Sequence, residues 1–362
     1  MEPNDQLTST SQPSLGPSAE NKPLITVAIP MYNALPYLDK CLGSISSQTY
    51  RNFDVLVLND GSTDNSPAVA RRWAEGMRRA GINARVIDRE NHGLLMARRA
   101  LLDAAKGTYV TFLDSDDELR SDALERVAGA IERTNADIIA FSYSRSREYK
   151  RDATRDTIPE GYYHGGAYQR VREEAVSGKF NNICGKAFRV SKLDADADYS
   201  EYEGLMQGED WLQLMGAING ADSLVRLRDI LYYYRQSDTQ SMASYRKSQL
   251  DDLMRVSKVV LDRASEWGGD CPAIAREGVL RQTALITNLM LRSGMGRGDQ
   301  KLEYRRISHC LWNVIDRKEA KVLLPRLRPD QALTTAAIAM DSFGFARLVA
   351  MAVTVGKRLL QR

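Results

Sequence analysis

Histidine and cysteine are the scarce residues of this chain. The three histidines, His92, His164 and His309, lie far apart, and the four cysteines, Cys41, Cys184, Cys271 and Cys310, include no Cys-x-x-Cys pair. That spacing excludes an ordinary structural zinc site and a disulfide framework, and it fits a reducing compartment. Long apolar runs are missing too: none reaches the roughly 18 residues of a membrane-spanning helix, and the nearest approach, 336–355, is broken by Asp341 and Arg347. There is no excess of one charge. Lys plus Arg number 50 and Asp plus Glu 47, a formal balance of +3, so no nucleic-acid partner is expected. No Gly-x-Gly-x-x-Gly follows the first apolar segment, and Gly178-Lys179 runs into Phe180, so neither dinucleotide nor P-loop binding is supported. Residues 1–23, with Pro3, Pro13, Pro17 and Pro23 and almost no bulky apolar side chain, read as a disordered leader that lacks the apolar core of a secretory signal.

What is present is a hydrophobic content of 43% over 362 residues, enough for one large domain and an accessory part. Short apolar runs at 24–29, 53–58, 84–87, 109–113 and 137–143 alternate with helical patterns that begin near Pro36, at Ser66-Pro67, after Asn91-His92-Gly93 and at Asp122. Strands and helices in this rhythm predict an α/β fold with a mostly parallel sheet. Residues 144–178 read as polar and irregular, and 224–234 as a strand pair. From about 245 onward the pattern is helix after helix, including 250–264 stopped by Gly268-Gly269, then 272–292 and 301–316. The domain organisation expected is therefore a leader over 1–23, a catalytic domain over 24–244 and an all-helical region over 245–362.

The stretch Thr108 to Leu119 stands out because a β-prone run ends abruptly in the acids Asp114, Asp116 and Asp117. In an open parallel sheet the carboxyl ends of the strands face the ligand crevice. If the chain stays extended there, Asp114 and Asp116 point to one side, roughly 6–7 Å apart, a spacing at which two carboxylates share a hard divalent cation. An acidic turn that starts the next helix is the plainer alternative.

Five segments taken in order resemble the family 2 glycosyltransferases of the GT-A fold, which is Rossmann-like: Ile-Pro-Met-Tyr-Asn (29–33), Asn-Asp-Gly-Ser-Thr-Asp (59–64), Asn-His-Gly with Ala-Arg-Arg (91–99), Leu-Asp-Ser-Asp-Asp (113–117) and Gly-Glu-Asp-Trp (208–211). The resemblance covers about residues 24–242. It implies an inverting sugar transfer from a nucleotide donor, UDP in the first instance, to an acceptor hydroxyl on a glycan or lipid-linked acceptor, with Mn²⁺ or Mg²⁺ as cofactor. By the same resemblance Pro30, Tyr32, Asn33, Asp60, Gly61, Arg98, Asp114, Ser115 and Arg235 would bind the nucleotide and its phosphates. Asp116 would hold the metal, Asp210 with Glu209 would supply the catalytic base, and Lys186 and Trp211 would face acceptor or phosphate. The match departs from the family after Arg235, where Gln236 to Ser241 lacks the basic residue common in relatives. A nucleotide-sugar-binding protein without transfer activity is the alternative. The basic end, Lys357 to Arg362, suggests a membrane surface or a second subunit against the C-terminal helices. A cytoplasmic location, peripheral at the inner face of the membrane, follows as the expectation.

Overall fold

Strand β1 (Ile25–Met31) and strand β2 (Phe53–Asp60) are buried along their whole lengths, as expected for strands covered on both faces. The computed structural model describes residues 25–150, 157–194, 197–236 and 244–360. The expected leader, and the loop after Arg235 apart from Gln236, lie outside the described residues. Between and after the first strands come α1 (Leu35–Ser46), α2 (Ser66–Arg79), β3 (Ala84–Arg89), α3 (Gly93–Ala104), β4 (Tyr109–Phe112), β5 (Glu118–Leu119), α4 (Ala123–Thr134) and β6 (Ile138–Ser144). Then follow β7 (Gly161–His164), α5 (Gln169–Val176), β8 (Lys186–Arg189), α6 (Glu209–Gly220) and β9 (Ser223–Tyr233).

One nine-stranded sheet runs in the order β3-β2-β1-β4-β8-β6-β9-β5, with β7 on β9. The pairs β1/β2, β2/β3, β1/β4 and β6/β9 are parallel; those involving β8, β5 and β7 are antiparallel. The α/β class with a mostly parallel sheet is thus what the periodicity predicts. The strand order reverses between β1 and β4, and a ligand crevice forms at such a switch point, outside the carboxyl ends of the strands.

Two local expectations need correction. The region 144–178 contains β7 and α5, because Tyr168, Val171, Ala175 and Val176 bury one side of a short segment whose other residues are charged. The expected strand pair over 224–234 is one long strand, β9, which keeps pairing β6 across register shifts near Ser142. Helix α3 ends before Gly107. Ala105 is the cap, and a Cβ on Gly107 would sit 2.7 Å from the Thr26 backbone nitrogen, so glycine lets β1 approach.

The C-terminal region is α7 (Ser248–Trp267), α8 (Cys271–Leu291), α9 (Arg297–Val314), α10 (Arg317–Leu323), α11 (Pro329–Ala339) and α12 (Phe343–Leu360). Helix α8 is its centre, packing against α7, α9, α10, α11 and α12 and also against α5. Its Gly278 lies against the Ser177 carbonyl, and Arg281 donates to the same oxygen, which fastens the helices to the sheet domain. Among the described residues no helix is long and apolar enough to cross a membrane.

Candidate active site

At the switch point the strand ends open onto a cavity of about 740 Å³. Pro30, Tyr32 and Asn33 reach it from the loop after β1 and Asp60 from the end of β2. Asn91 to Leu94 come from the β3–α3 turn, Asp114 to Asp116 from the loop after β4, Glu203 to Met206 and Glu209 from the entry to α6, and Arg235 from beyond β9. Tyr32 is half exposed at 52%, its ring free for stacking.

The loops are tied together before any ligand is considered. The side chain of Asn33, whose backbone is at φ 47°, accepts from the backbone nitrogens of Thr63 and Asp64 at 2.8 and 3.3 Å, and the Asn33 backbone nitrogen donates to the Ser62 hydroxyl at 3.0 Å. Asp60 is buried. Its Oδ1 accepts from Arg89 Nε at 2.7 Å and the His92 nitrogen at 3.2 Å, and its Oδ2 from the Gly93 nitrogen at 2.9 Å. Gly61 does not line the cavity. At φ 74°, a Cβ there would meet the Asn91 nitrogen at 2.8 Å, so this glycine seats the 91–93 turn.

The acidic loop is not extended. Strand β4 ends at Phe112, and Asp117 N donates to the Asp114 carbonyl at 3.0 Å, a turn that sends the three carboxylates to different partners. Asp114 Oδ1 accepts from Arg98 at 3.0 Å, and Asp116 Oδ2 from Arg235 at 2.6 Å. Asp117 turns inward and accepts from the Tyr232 hydroxyl at 2.6 Å and the Arg235 nitrogen at 2.8 Å. Burial, then the charge of Asp114, pushes the Asp117 carboxyl up to about 8. Between about pH 4 and pH 8 the folded chain therefore keeps a proton that the unfolded chain has released, and stability falls as pH rises through that window. The Asp117→Asn variant is expected to lose that slope, of up to about 1.4 kcal/mol per pH unit; urea unfolding at several pH values in the two proteins measures it.

Arg98, which the resemblance implied as a nucleotide contact, is 1% exposed and does not line the cavity. It forks instead between Asp114 and Asp210, donating to each. Burial opposes its charge, but Asp210 and Asp114 outweigh that and hold its pKa well above the ordinary guanidinium value. Asp210, on the first turn of α6, is 31% exposed and joins the site through Arg98, while Glu209 borders the cavity itself. Burial, then Asp210, pushes the Glu209 carboxyl up to about 7.

Two other expected residues lie in the core. Trp211 is 2% exposed, and its Nε1 donates to the Ala175 carbonyl at 2.8 Å under Gly178. Lys186 is 1% exposed, bonded to the carbonyl and amide oxygens of Asn182 and lying over the Phe180 ring at 3.9 Å. Desolvation, then Arg226, lowers its pKa to about 7. Neither lines the cavity. Tyr37, His92, Glu203 and Met206 do, and sequence reasoning did not assign them to the site. Tyr37 carried one faint signal, an aromatic off the apolar stripe of its helix. Residues 203–206 carried none.

Among the described residues no three His, Cys, Asp or Glu side chains converge as a metal cage. Asp116, 38% exposed at the cavity, presents a hard carboxylate oxygen there. One carboxylate suits Mg²⁺ or Mn²⁺ when substrate phosphates and water complete the shell, so the donor set fits a cation that arrives with a diphosphate.

The family model "Glycosyl transferase family 2" matches residues 26–195, which include β1 to β4 and the acidic loop. The chain belongs to the family 2 glycosyltransferases. The glycosyltransferase GlyA of Streptococcus pneumoniae is 39% identical to it over 141 residues, 38% of this chain and 19% of that protein. Pasteurella multocida hyaluronan synthase is 38% identical over 262 residues, 68% of this chain and 26% of the synthase. The chain thus spans a minor part of these relatives' lengths. The crystal structure of S. aureus TarS 1–349 in complex with UDP-GlcNAc superposes with a TM-score of 0.67 at 18% identity, covering 92% of each chain, and shows that the fold is shared over the C-terminal helices as well.

Proposed function

We propose that this glycosyltransferase moves a sugar from a UDP donor to a hydroxyl of a glycan or lipid-linked acceptor with inversion, and that residues 24–244 form its catalytic unit. The observation that carries the reading is the convergence of the loops after β1, β2, β3 and β4 with the start of α6 around one cavity, bridged by Asp114, Arg98 and Asp210. TarS, of the same fold, binds UDP-GlcNAc, and the exposed Tyr32 ring offers a flat surface for a pyrimidine.

In this reading Asp210 takes the proton of the acceptor hydroxyl as that oxygen attacks the anomeric carbon. The bond from that carbon to the diphosphate breaks on the opposite face, and the diphosphate leaves with the electron pair. Arg98 keeps the Asp210 carboxylate oriented, and Arg235 at the cavity wall offers a fork for phosphate oxygens. When bound beside Asp116, a Mg²⁺ or Mn²⁺ supplies positive charge to the departing diphosphate. Titration calorimetry with UDP and Mn²⁺, paired with hydrolysis of a panel of nucleotide sugars, tests the reading. Binding with turnover of at least one donor is expected; binding with no turnover of any would favour an inert nucleotide-sugar-binding protein.

The helical region suits the surface of an anionic membrane. Residues 245–362 hold 21 basic against 12 acidic side chains, a balance of +9, whereas residues 1–244 hold 29 against 35, a balance of −6. Leu348 and Met351, three positions apart on α12, are 64% and 62% exposed, and Met340 at the end of α11 is 61% exposed. Exposed apolar side chains on a basic region are the elements of peripheral attachment. The side chains of Lys357 to Arg362 lie outside the described ones. Co-sedimentation with phosphatidylglycerol vesicles, but not with phosphatidylcholine vesicles, is expected, with loss of binding in the Leu348→Glu, Met351→Glu variant. A concentration-dependent dimer with no vesicle binding would assign that face to a second copy instead.

A further inference from the structure

Arg235 is paired with one carboxylate oxygen of Asp116, the residue expected to hold the divalent cation. Its guanidinium lies 2.6 Å from Asp116 Oδ2, and its central carbon lies 3.7 Å from the centre of the Tyr37 ring. Behind it, Asp117 fixes the Arg235 backbone nitrogen at 2.8 Å. Tyr37, Asp116 and Arg235 all line the cavity.

We propose that Arg235 is a resident counter-ion for Asp116 which the diphosphate draws away as it enters with its cation, and that Tyr37 is the positioning residue that steers this exchange. The inference rests on the donor reading above and adds to it an order of events and a residue. Asp114 and Asp116 cluster at the cavity wall, and such a cluster without a counter-charge repels a diphosphate. A guanidinium on Asp116 removes part of that repulsion. It also makes a free cation compete with an ion pair for its one protein ligand. A cation already on a diphosphate meets no such competition, because Arg235 gains phosphate oxygens in a forked geometry as the cation gains Asp116. Tyr37 sits in the first turn of α1 beside Pro36, a rigid mount. Its ring face holds the guanidinium by cation–π attraction without offering a competing charge.

The exchange is tested with Mn²⁺ alone, read by electron paramagnetic resonance as free against bound ion, on the full chain. Wild type is expected to hold Mn²⁺ weakly without nucleotide, and Arg235→Gln to hold it at least about tenfold more tightly. Arg147→Gln removes the same charge from Glu118 beside the cluster and is expected to leave Mn²⁺ affinity unchanged. Adding Asp116→Asn to Arg235→Gln is expected to abolish the gain. Tyr37→Leu is expected to raise affinity for Mn²⁺ alone and to weaken UDP binding in the presence of Mn²⁺, with Tyr37→Phe restoring both. Equal Mn²⁺ affinity in wild type and Arg235→Gln would overturn the exchange, as would an equal gain in Arg147→Gln. Failure of wild type to bind UDP with Mn²⁺ is a separate outcome and would overturn the donor reading itself.

Discussion

Replacing Asp210 by asparagine is expected to lower sugar transfer at least about 10²-fold while UDP binds with nearly its wild-type affinity. The amide keeps the shape of the carboxylate and its carbonyl oxygen can still accept from Arg98, but it has no lone-pair oxygen basic enough to take a proton. The loss therefore falls on turnover rather than on donor affinity, and transfer kinetics paired with calorimetry separate the two. Full transfer by Asp210→Asn would remove it from the role and turn attention to Glu209, which borders the cavity directly. Glu209 makes a distinct, pH-dependent contribution. Its carboxyl, pushed up to about 7, adds a negative charge to the cavity wall as pH rises through neutrality, and UDP affinity is expected to weaken across that range in wild type and to stay flat in Glu209→Gln.

The second large effect is expected from Arg98→Met. Among the described residues Arg98 is the buried cation that Asp114 and Asp210 share, and methionine fills part of its volume while leaving two carboxylates facing each other without it. Breaking a fully buried pair from one side costs about 3–5 kcal/mol. Both aspartates keep about a third of their exposure, so the lower end, about 3 kcal/mol, is expected in denaturant unfolding. Transfer should fall with it, because Asp210 loses the group that orients it. Adding Asp210→Asn to Arg98→Met is expected to recover much of the stability and none of the transfer. Arg98→Lys should rescue only in part, since an ammonium on a flexible stem does not present the planar fork that reaches both acids. An Arg98→Met protein of wild-type stability would show that the two carboxylates are solvated well enough to need no shared cation.

Much of the architecture was legible because it rests on local chemistry. Apolar runs ended by Pro30, by Asn59-Asp60-Gly61 and by Asp114 mark β1, β2 and β4 with little error, since an uninterrupted apolar segment of this length next to turn formers has few other ways to fold. The long helices α7 and α8 were read within a few residues from their stripes and from Gly268-Gly269. The weaker predictions fell where propensity is indifferent. Helix α5 is short and highly charged, and it is held by Tyr168, Val171 and Val176 against α6 and α8 rather than by its own sequence. Of the two geometries open to Asp114 and Asp116, the turn forms rather than the extended chain, because Asp117 N bonds back to the Asp114 carbonyl within the loop.

The sequence by itself determined the class of fold, the family, and which loops would carry acids to the edge of the sheet, because periodicity, turn residues and motif order are properties of neighbouring positions. It could not say which acid meets which cation. Arg98 and Asp210 are 112 positions apart, and Arg235 and Asp116 are 119, so each pairing exists only once the strand order β1-β4-β8-β6-β9 has set those distances in space. Burial was decided in the same way. Lys186 and Trp211 look like site residues on paper, yet the packing of β8 between β4 and β6 and of α6 on α5 draws both into the core, whereas Tyr37, only faintly marked in the sequence, is brought against Arg235 by tertiary structure.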